Sequence, residues 1–188
     1  QNLPDKLGVT ATDRASLGGD NSKDAKDKVG DAMKNCKKIR KYREENKDYH
    51  TNRGGKVTLH STGQSLVYFV LNINKRKKDI RKLISVVEKS IIQFLLIYKI
   101  KSRKDKKNIG IWVNNKKIAA IGLRVSRWIA YHGCSININN NLNLYQKILP
   151  CGLNKQKITS VYSEKNIAIK NIKNTLADIL LKNISKIK

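Results

Sequence analysis

Apolar and polar positions sort this chain into two textures. Up to residue 48 the apolar residues are isolated, Tyr42 is the single aromatic, and Gly8, Gly18, Gly19 and Gly30 interrupt any pattern. Such a segment gathers too little apolar surface to offset its chain entropy. It is therefore expected to be a polar, disordered or loosely attached arm over residues 1–48. From residue 49 the pattern becomes periodic, and the remainder, 49–188, is expected to form the folded domain.

Arg53-Gly54-Gly55 reads as a turn, because glycine permits positive φ and close backbone approach. Residues 57–60 read as a short strand, 61–64 as a loop, and 66–73 as a strongly apolar strand rich in β-branched and aromatic side chains. Over 75–98, Ile80, Leu83, Ile84, Val87, Ile91, Phe94 and Leu95 recur at helical spacing. Arg81, Lys82, Glu88 and Lys89 take the other face, so a helix laid on a sheet is expected. Residues 101–107 read as a solvated basic loop. Residues 109–113 and 117–125 read as a hairpin around Asn114-Asn115, since asparagine tolerates the left-handed conformation of a tight turn. Residues 128–131 and 135–139 read as strand, split by His132-Gly133. Residues 142–148 suit a short helix or turn, and 159–161 one more extended piece. A terminal amphipathic helix is marked by Ile167, Ile169, Ile172, Leu176, Ile179, Leu180 and Ile184. Together these predict an α+β fold, an α/β sandwich in which a mixed β-sheet is packed by helices.

Composition narrows the function classes. A length of 188 residues fits one domain with a real core, or one domain plus a tail. No apolar run approaches the ~20 residues of a bilayer span. No basic-then-apolar leader opens the sequence, so a cytoplasmic protein is expected. Gln1 is not an initiator, which is consistent with a processed or truncated start. Cys36, Cys134 and Cys151 are scattered with no CxxC spacing, and His50, His60 and His132 fall in different segments. Neither a disulfide framework nor a metal site is expected.

The net charge is +26. Residues 1–48 hold 12 Lys+Arg and 9 Asp+Glu, whereas 49–188 hold 28 and 5. A basic surface of this kind attracts nucleic acid or an acidic protein. The excess of Lys comes with an excess of Asn and Ile, which AT-rich coding also supplies, and aromatic stacking platforms are few at 6%. Nucleic-acid binding is not the expected function.

The candidate chemistry lies between Lys117 and Cys151, where Lys117, His132 and Cys151 stand among apolar runs and glycines. Several segments here resemble one family. Arg53-Gly54-Gly55-Lys56-Val57-Thr58-Leu59-His60 is similar to an RGGxxTxH motif, and Lys117–Gly122 to K-[IV]-A-x-[IL]-G. Arg127, His132-Gly133 and Ser135-Ile136-Asn137 are similar to R…HG-x-[AS]-[LI]-N. Pro150-Cys151-Gly152, with Thr159-Ser160-Val161, is similar to PCG…TS. Four motifs in order over about 49–163 identify the chain as resembling the lipoyl(octanoyl) transferases, which share the biotin/lipoate protein ligase catalytic-domain fold.

That resemblance implies an acyltransferase with no cofactor. Cys151 would take the octanoyl group of octanoyl-acyl carrier protein as a thioester. A lysine of a lipoyl domain, on a 2-oxoacid dehydrogenase or the glycine cleavage H protein, would then receive it. A free thiol has a pKa of ~8.5, and Lys117 matches the lysine that lowers it in the family. The resemblance places Arg53, Gly54, Gly55, Lys56, Val57, Thr58, Leu59, His60, Ala120, Ile121, Gly122, Gly133, Cys134 and Ser135 along the substrate. By residue type alone, Cys134 suits packing and His132 suits orientation of its loop. Burying an eight-carbon chain is worth roughly 5 kcal/mol at about 0.8 per methylene. A monomer is expected.

Two departures stand out. Where the family has T-[YFW]-H-G-P-G-Q, this chain has Thr58-Leu59-His60-Ser61-Thr62-Gly63-Gln64. Residues 1–48 also lack the family's E-H-P-x-x-Y-T-x-G segment, as expected of a divergent, frameshifted or misjoined start. Other classes the sequence admits are a lipoate- or biotin-type ligase on the same fold, and a decayed relative or basic binding protein. A ligase proceeds through an acyl-adenylate and needs no cysteine, so Cys151 favours the transferase.

Overall fold

The apolar run that follows Gln64 forms the strand on which the sheet is built. The computed structural model describes residues 7–8, 58–76, 78–105, 108–147, 158–167 and 172–187. Among them are β1 (Leu7–Gly8), β2 (Gln64–Asn72), α1 (Ile80–Ile97), β3 (Arg103–Lys104), β4 (Ile111–Val113), β5 (Lys116–Ser126), β6 (Ile129–Asn137), α2 (Val161–Lys165) and α3 (Ile172–Ile184). Short 3-10 turns occupy Ile73–Lys75 and Leu142–Lys147. The strands form one sheet in the order β1-β2-β6-β5-β4-β3. β1 joins β2 in parallel, Leu7 opposite Val67, and the other pairings are antiparallel. The sheet is mixed, as its pattern predicted. Apart from β1, the arm expected over 1–48 lies outside the described residues.

The pleat assigns the two faces. Val67, Phe69 and Leu71 alternate along β2 and are buried. In antiparallel pairs, residues directly opposite share a face. Val67 pairs with Cys134 and Leu71 with Ala130, and Cys134 pairs in turn with Ile121. These side chains join one core with Leu83, Val87, Ile91 and Phe94 of α1 and Leu176 and Leu180 of α3. The two helices are also tied by Asn183, whose Nδ2 donates to Ser90 Oγ at 3.0 Å and to Gln93 Oε1 at 3.1 Å.

Several boundaries differ from the pattern-based reading. The helix expected over 75–98 starts at Ile80, because Asp79 caps it and accepts from the Lys82 amide at 2.8 Å. The basic loop at 101–107 contains β3, and Lys104 reaches Glu88 of α1 at 4.0 Å. The strand expected at 57–60 has no regular structure over the described 58–60. Of the piece expected at 159–161, Ser160 is extended, but Val161 already belongs to a helix. Ser160 accepts from the Ser163 amide at 3.1 Å and caps α2, which opens at Val161.

The largest correction is β6, which runs unbroken across His132-Gly133. Pairing to both neighbours stays in register there, with His132 opposite Phe69 and Leu123. The irregularity survives in the backbone, where His132 has φ 68 although it lies mid-strand. Such a conformation costs a non-glycine residue about 1–2 kcal/mol. The turn from β5 to β6 is likewise unconventional, since Arg127 and Trp128 both have positive φ without being Gly or Asn. They make the two-residue turn whose twist suits adjoining strands. Arg127 is therefore a turn residue, at the opposite end of β5 from Lys117.

Candidate functional site

Lys117 enters β5 between two partners. On one side it pairs with Trp112 of β4, and on the other it bridges in parallel to Ile158. Its carbonyl accepts from the Thr159 amide at 3.0 Å. The side chain is 7% exposed, with Nζ 5.5 Å from the centre of the Trp112 ring. A cation over an indole face gains electrostatic stabilisation that partly offsets its burial. The chain leaving Cys151 thus arrives, at Ile158 and Thr159, beside the lysine. Cys151 itself, with Arg53, Gly54, Gly55, Lys56 and Val57, lies outside the described residues.

The remaining candidates are divided by the pleat. Ala120 pairs with Ser135, and Gly122 with Gly133. These four adjoin on the face away from the helices, where Tyr68 lies opposite Gly133 and Leu66 opposite Ser135. The patch combines small side chains with bare backbone, which lets a ligand approach the strands closely. Ile121 and Cys134 lie between them in sequence and point the other way, into the core. Burial pushes the Cys134 thiol up to about 12. Only the backbone of these two residues belongs to the patch face.

Gly133 also has a packing reason. A β-carbon built on it would land on the carbonyl oxygen of Val67. The neighbouring His132 is 3% exposed and lies against Tyr131, with ring centres 4.9 Å apart.

Below the patch lies a buried polar cluster to which the sequence pattern assigns no role. Asn137 pairs with Gln64 across β6 and β2. Asn137 Nδ2 donates to the Thr159 carbonyl at 3.0 Å. Gln64 Nε2 donates to Asn137 Oδ1 at 2.7 Å and to the Tyr145 hydroxyl at 2.8 Å. Gln64 Oε1 lies 2.7 Å from His60 Nδ1. Tyr145 OH lies 3.2 Å from the Leu59 carbonyl, which fastens the 58–60 segment to the sheet. That bond uses the backbone of Leu59, so it does not depend on the aromatic side chain the family carries at this place. Thr58, Leu59 and His60 are all half-buried. Asn137 stands inside a motif that carries the family resemblance, and Gln64 ends the stretch that departs from it. Tyr145 carried no sequence signal, because its partners Leu59 and Gln64 lie more than 80 residues away.

Among the described residues, no group of His, Cys, Asp or Glu is placed to hold a metal ion. No described helix is long and apolar enough to cross a membrane.

Comparison with known proteins places these features. Residues 30–181 match the family model described as the lipoyl protein ligase A/B catalytic domain. An octanoyltransferase of Bartonella tribocorum is 42% identical over 125 residues, 60% of this chain and 51% of that protein. One from Buchnera aphidicola is 36% identical, covering 72% and 63%. One from Wolbachia pipientis of Culex pipiens is 41% identical, covering 74% and 69%. The chain thus spans between about half and two thirds of the length of these curated relatives. Among solved structures, a lipoate-protein ligase A bound with ATP has a TM-score of 0.63 at 14% identity, covering 76% of this chain and 62% of that one. A biotin protein ligase from Aquifex aeolicus has a TM-score of 0.53 at 19% identity, covering 66% and 54%. At such identities the structural likeness concerns the fold, and it agrees with the sheet and helices described above.

Proposed function

This chain belongs to the lipoyl protein ligase A/B catalytic-domain family, and on that premise we propose that it is an octanoyltransferase of protein lipoylation. The observation that carries the reading is its similarity, at 36–42% identity, to proteins named octanoyltransferase. The donor is octanoyl-acyl carrier protein and the acceptor a lysine of a lipoyl domain, on 2-oxoacid dehydrogenases or the glycine cleavage H protein. The reaction is cytoplasmic and needs no cofactor.

Cys151 Sγ attacks the thioester carbonyl carbon and the carrier's thiol leaves with a proton, giving octanoyl-Cys151. The neutral ε-amine of the acceptor lysine then attacks the same carbon. An amide forms, the Cys151 thiolate departs, and the amine's proton returns to it. Lys117 is the cation beside the reacting thiol. Its burial over Trp112 supports this role, because a charge removed from water acts more strongly on a neighbour than a solvated one. The patch of Ala120, Gly122, Gly133 and Ser135 bounds the acyl group, with the backbone of Ile121 and Cys134 behind it. Arg53, Gly54, Gly55, Lys56, Val57, Thr58, Leu59 and His60 complete the wall. Ser61-Thr62, in place of Gly-Pro, alters that wall's border.

Incubation with octanoyl-acyl carrier protein and measurement of intact mass tests the reading. The expected result is one octanoyl adduct, removed by hydroxylamine and absent from Cys151→Ser. A folded chain that stays unmodified would overturn it.

A further inference from the structure

The cluster around Asn137 is closed in the sense that its hydrogen-bonding groups fix one another in sequence. The starting point is a backbone carbonyl, which can only accept. Thr159 O therefore requires the Asn137 amide to turn its NH2 toward it, at 3.0 Å. Asn137 Oδ1 is then the end that meets Gln64, so Gln64 must present its own NH2, at 2.7 Å. Both Gln64 hydrogens are used, one on Asn137 and one on the Tyr145 hydroxyl at 2.8 Å. The two lone pairs of Asn137 Oδ1 are filled by Gln64 and by Asn140 Nδ2 at 3.3 Å. Asn137 Oδ1 therefore has no lone pair left for the Tyr145 hydroxyl, which lies equally near the Leu59 carbonyl, at 3.2 Å.

Gln64 Oε1 is left as the atom facing His60 Nδ1, at 2.7 Å. An amide oxygen can only accept, so Nδ1 must carry the proton. The choice of imidazole tautomer is set by the hydrogen bond at the other nitrogen. Gln64, Asn137 and Asn140 are all buried, so water does not compete for these positions.

We propose that Asn137 and Gln64 are positioning residues that hold His60 as its Nδ1–H tautomer, so that the neutral ring can act only as an acceptor at Nε2. This rests on the reading of His60 as part of the substrate wall. It has a chemical consequence for octanoyl transfer. His60 does not donate to the thioester oxygen, whose donors come from elsewhere. Any group that meets Nε2 must itself be a hydrogen donor. Asn137 is linked to Lys117 as well. Thr159, whose carbonyl accepts from Asn137, donates its own N–H to the Lys117 carbonyl at 3.0 Å. One amide side chain thereby ties the His60 segment to the start of β5.

The test is a two-bond nitrogen–proton spectrum of the ¹⁵N-histidine-labelled full chain, at a pH where His60 is neutral, with His60→Gln assigning the signal. The expected pattern is a pyrrole-type Nδ1 and a pyridine-type Nε2. Asn137→Leu and Gln64→Leu should each average the two nitrogens or reverse them. Tyr145→Phe should leave the pattern unchanged, because the Asn137–Gln64–His60 path survives. A pyridine-type Nδ1 in the wild-type chain overturns the proposal, and that spectrum needs no variant to fold. A folded Asn137→Leu or Gln64→Leu chain that keeps the wild-type pattern overturns it equally, since a purely structural role would change only the melting temperature. The spectra are taken without substrate. A chain with the expected tautomer but no acyl-enzyme retires the transferase reading alone, and an acyl-enzyme former with the opposite tautomer retires this one alone.

Discussion

Gly110 leaves room for Lys117. A β-carbon built on Gly110 would stand 2.5 Å from Lys117 Cε and 3.2 Å from Nζ, and 2.7 Å from the Ala119 carbonyl. The glycine also has φ 137, which side-chain-bearing residues rarely adopt. Gly110→Ala is therefore expected to displace Lys117 Nζ while leaving the lysine itself in place. A shift of about 1 Å at a reacting group costs roughly 100-fold in rate. On the proposed mechanism, acyl-enzyme formation followed by rapid-quench mass spectrometry should slow by about that much. An unchanged rate in a folded variant would show that Lys117 does not need this placement.

Gly133 is constrained by backbone rather than by a flexible side chain. Its missing β-carbon would overlap the Val67 carbonyl oxygen, and Tyr68 Cα lies behind it at 3.4 Å. β2 and β6 cannot separate there without breaking their ladder. Gly133→Ala should destabilise the fold by at least about 3 kcal/mol, beyond ordinary overpacking. Urea unfolding measures it, and a loss under about 1 kcal/mol would contradict the packing described here.

Glu88 is buried on α1 and its carboxyl is raised above the usual glutamate range. Burial is the main cause, only partly countered by Lys104 at 4.0 Å. A carboxyl raised in the folded state favours folding at acidic pH, and that contribution is lost as pH rises through the folded value. The half-exposed Lys104 offsets little of this. Glu88→Gln should raise the melting temperature at pH 7, with the gain fading below about pH 4, where glutamate is protonated in both states. A variant less stable than wild type at pH 7 would mean that the ion pair outweighs burial.

Cys134 is a thiol that should not react. Its pKa is pushed up to about 12 by burial, so almost no thiolate exists near neutrality. In the native chain, iodoacetamide at about pH 8, close to the pKa of a free thiol, should leave the Cys134 peptide unmodified, and urea should make it modifiable. Peptide mass spectrometry reads both states. Labelling of native Cys134 at the rate of a free thiol would show that this part of the core opens readily.

The period of each element and the residue types of the chemistry follow from the order of amino acids alone. Leu83, Val87, Ile91 and Phe94 repeat every three or four positions, and only a helix puts such a set on one face. Asn114-Asn115 marks its hairpin, because asparagine accepts the left-handed conformation that Asn114 adopts. Lys117 and Pro150-Cys151-Gly152 are legible as motifs. Relationships across the sheet depend instead on how the strands pair in three dimensions. The pleat sends Cys134 and Ile121 into the core and leaves Ala120, Gly122, Gly133 and Ser135 on the other face, although all six are neighbours in the motifs. His132 reads as a break, yet two flanking strands hold it in register despite its positive φ. The buried set of Gln64, Asn137, Tyr145 and Thr159 joins residues far apart along the chain, so no local pattern announces it. Local periodicity fixes what each segment can form, and hydrogen-bond satisfaction between distant segments fixes which atoms meet.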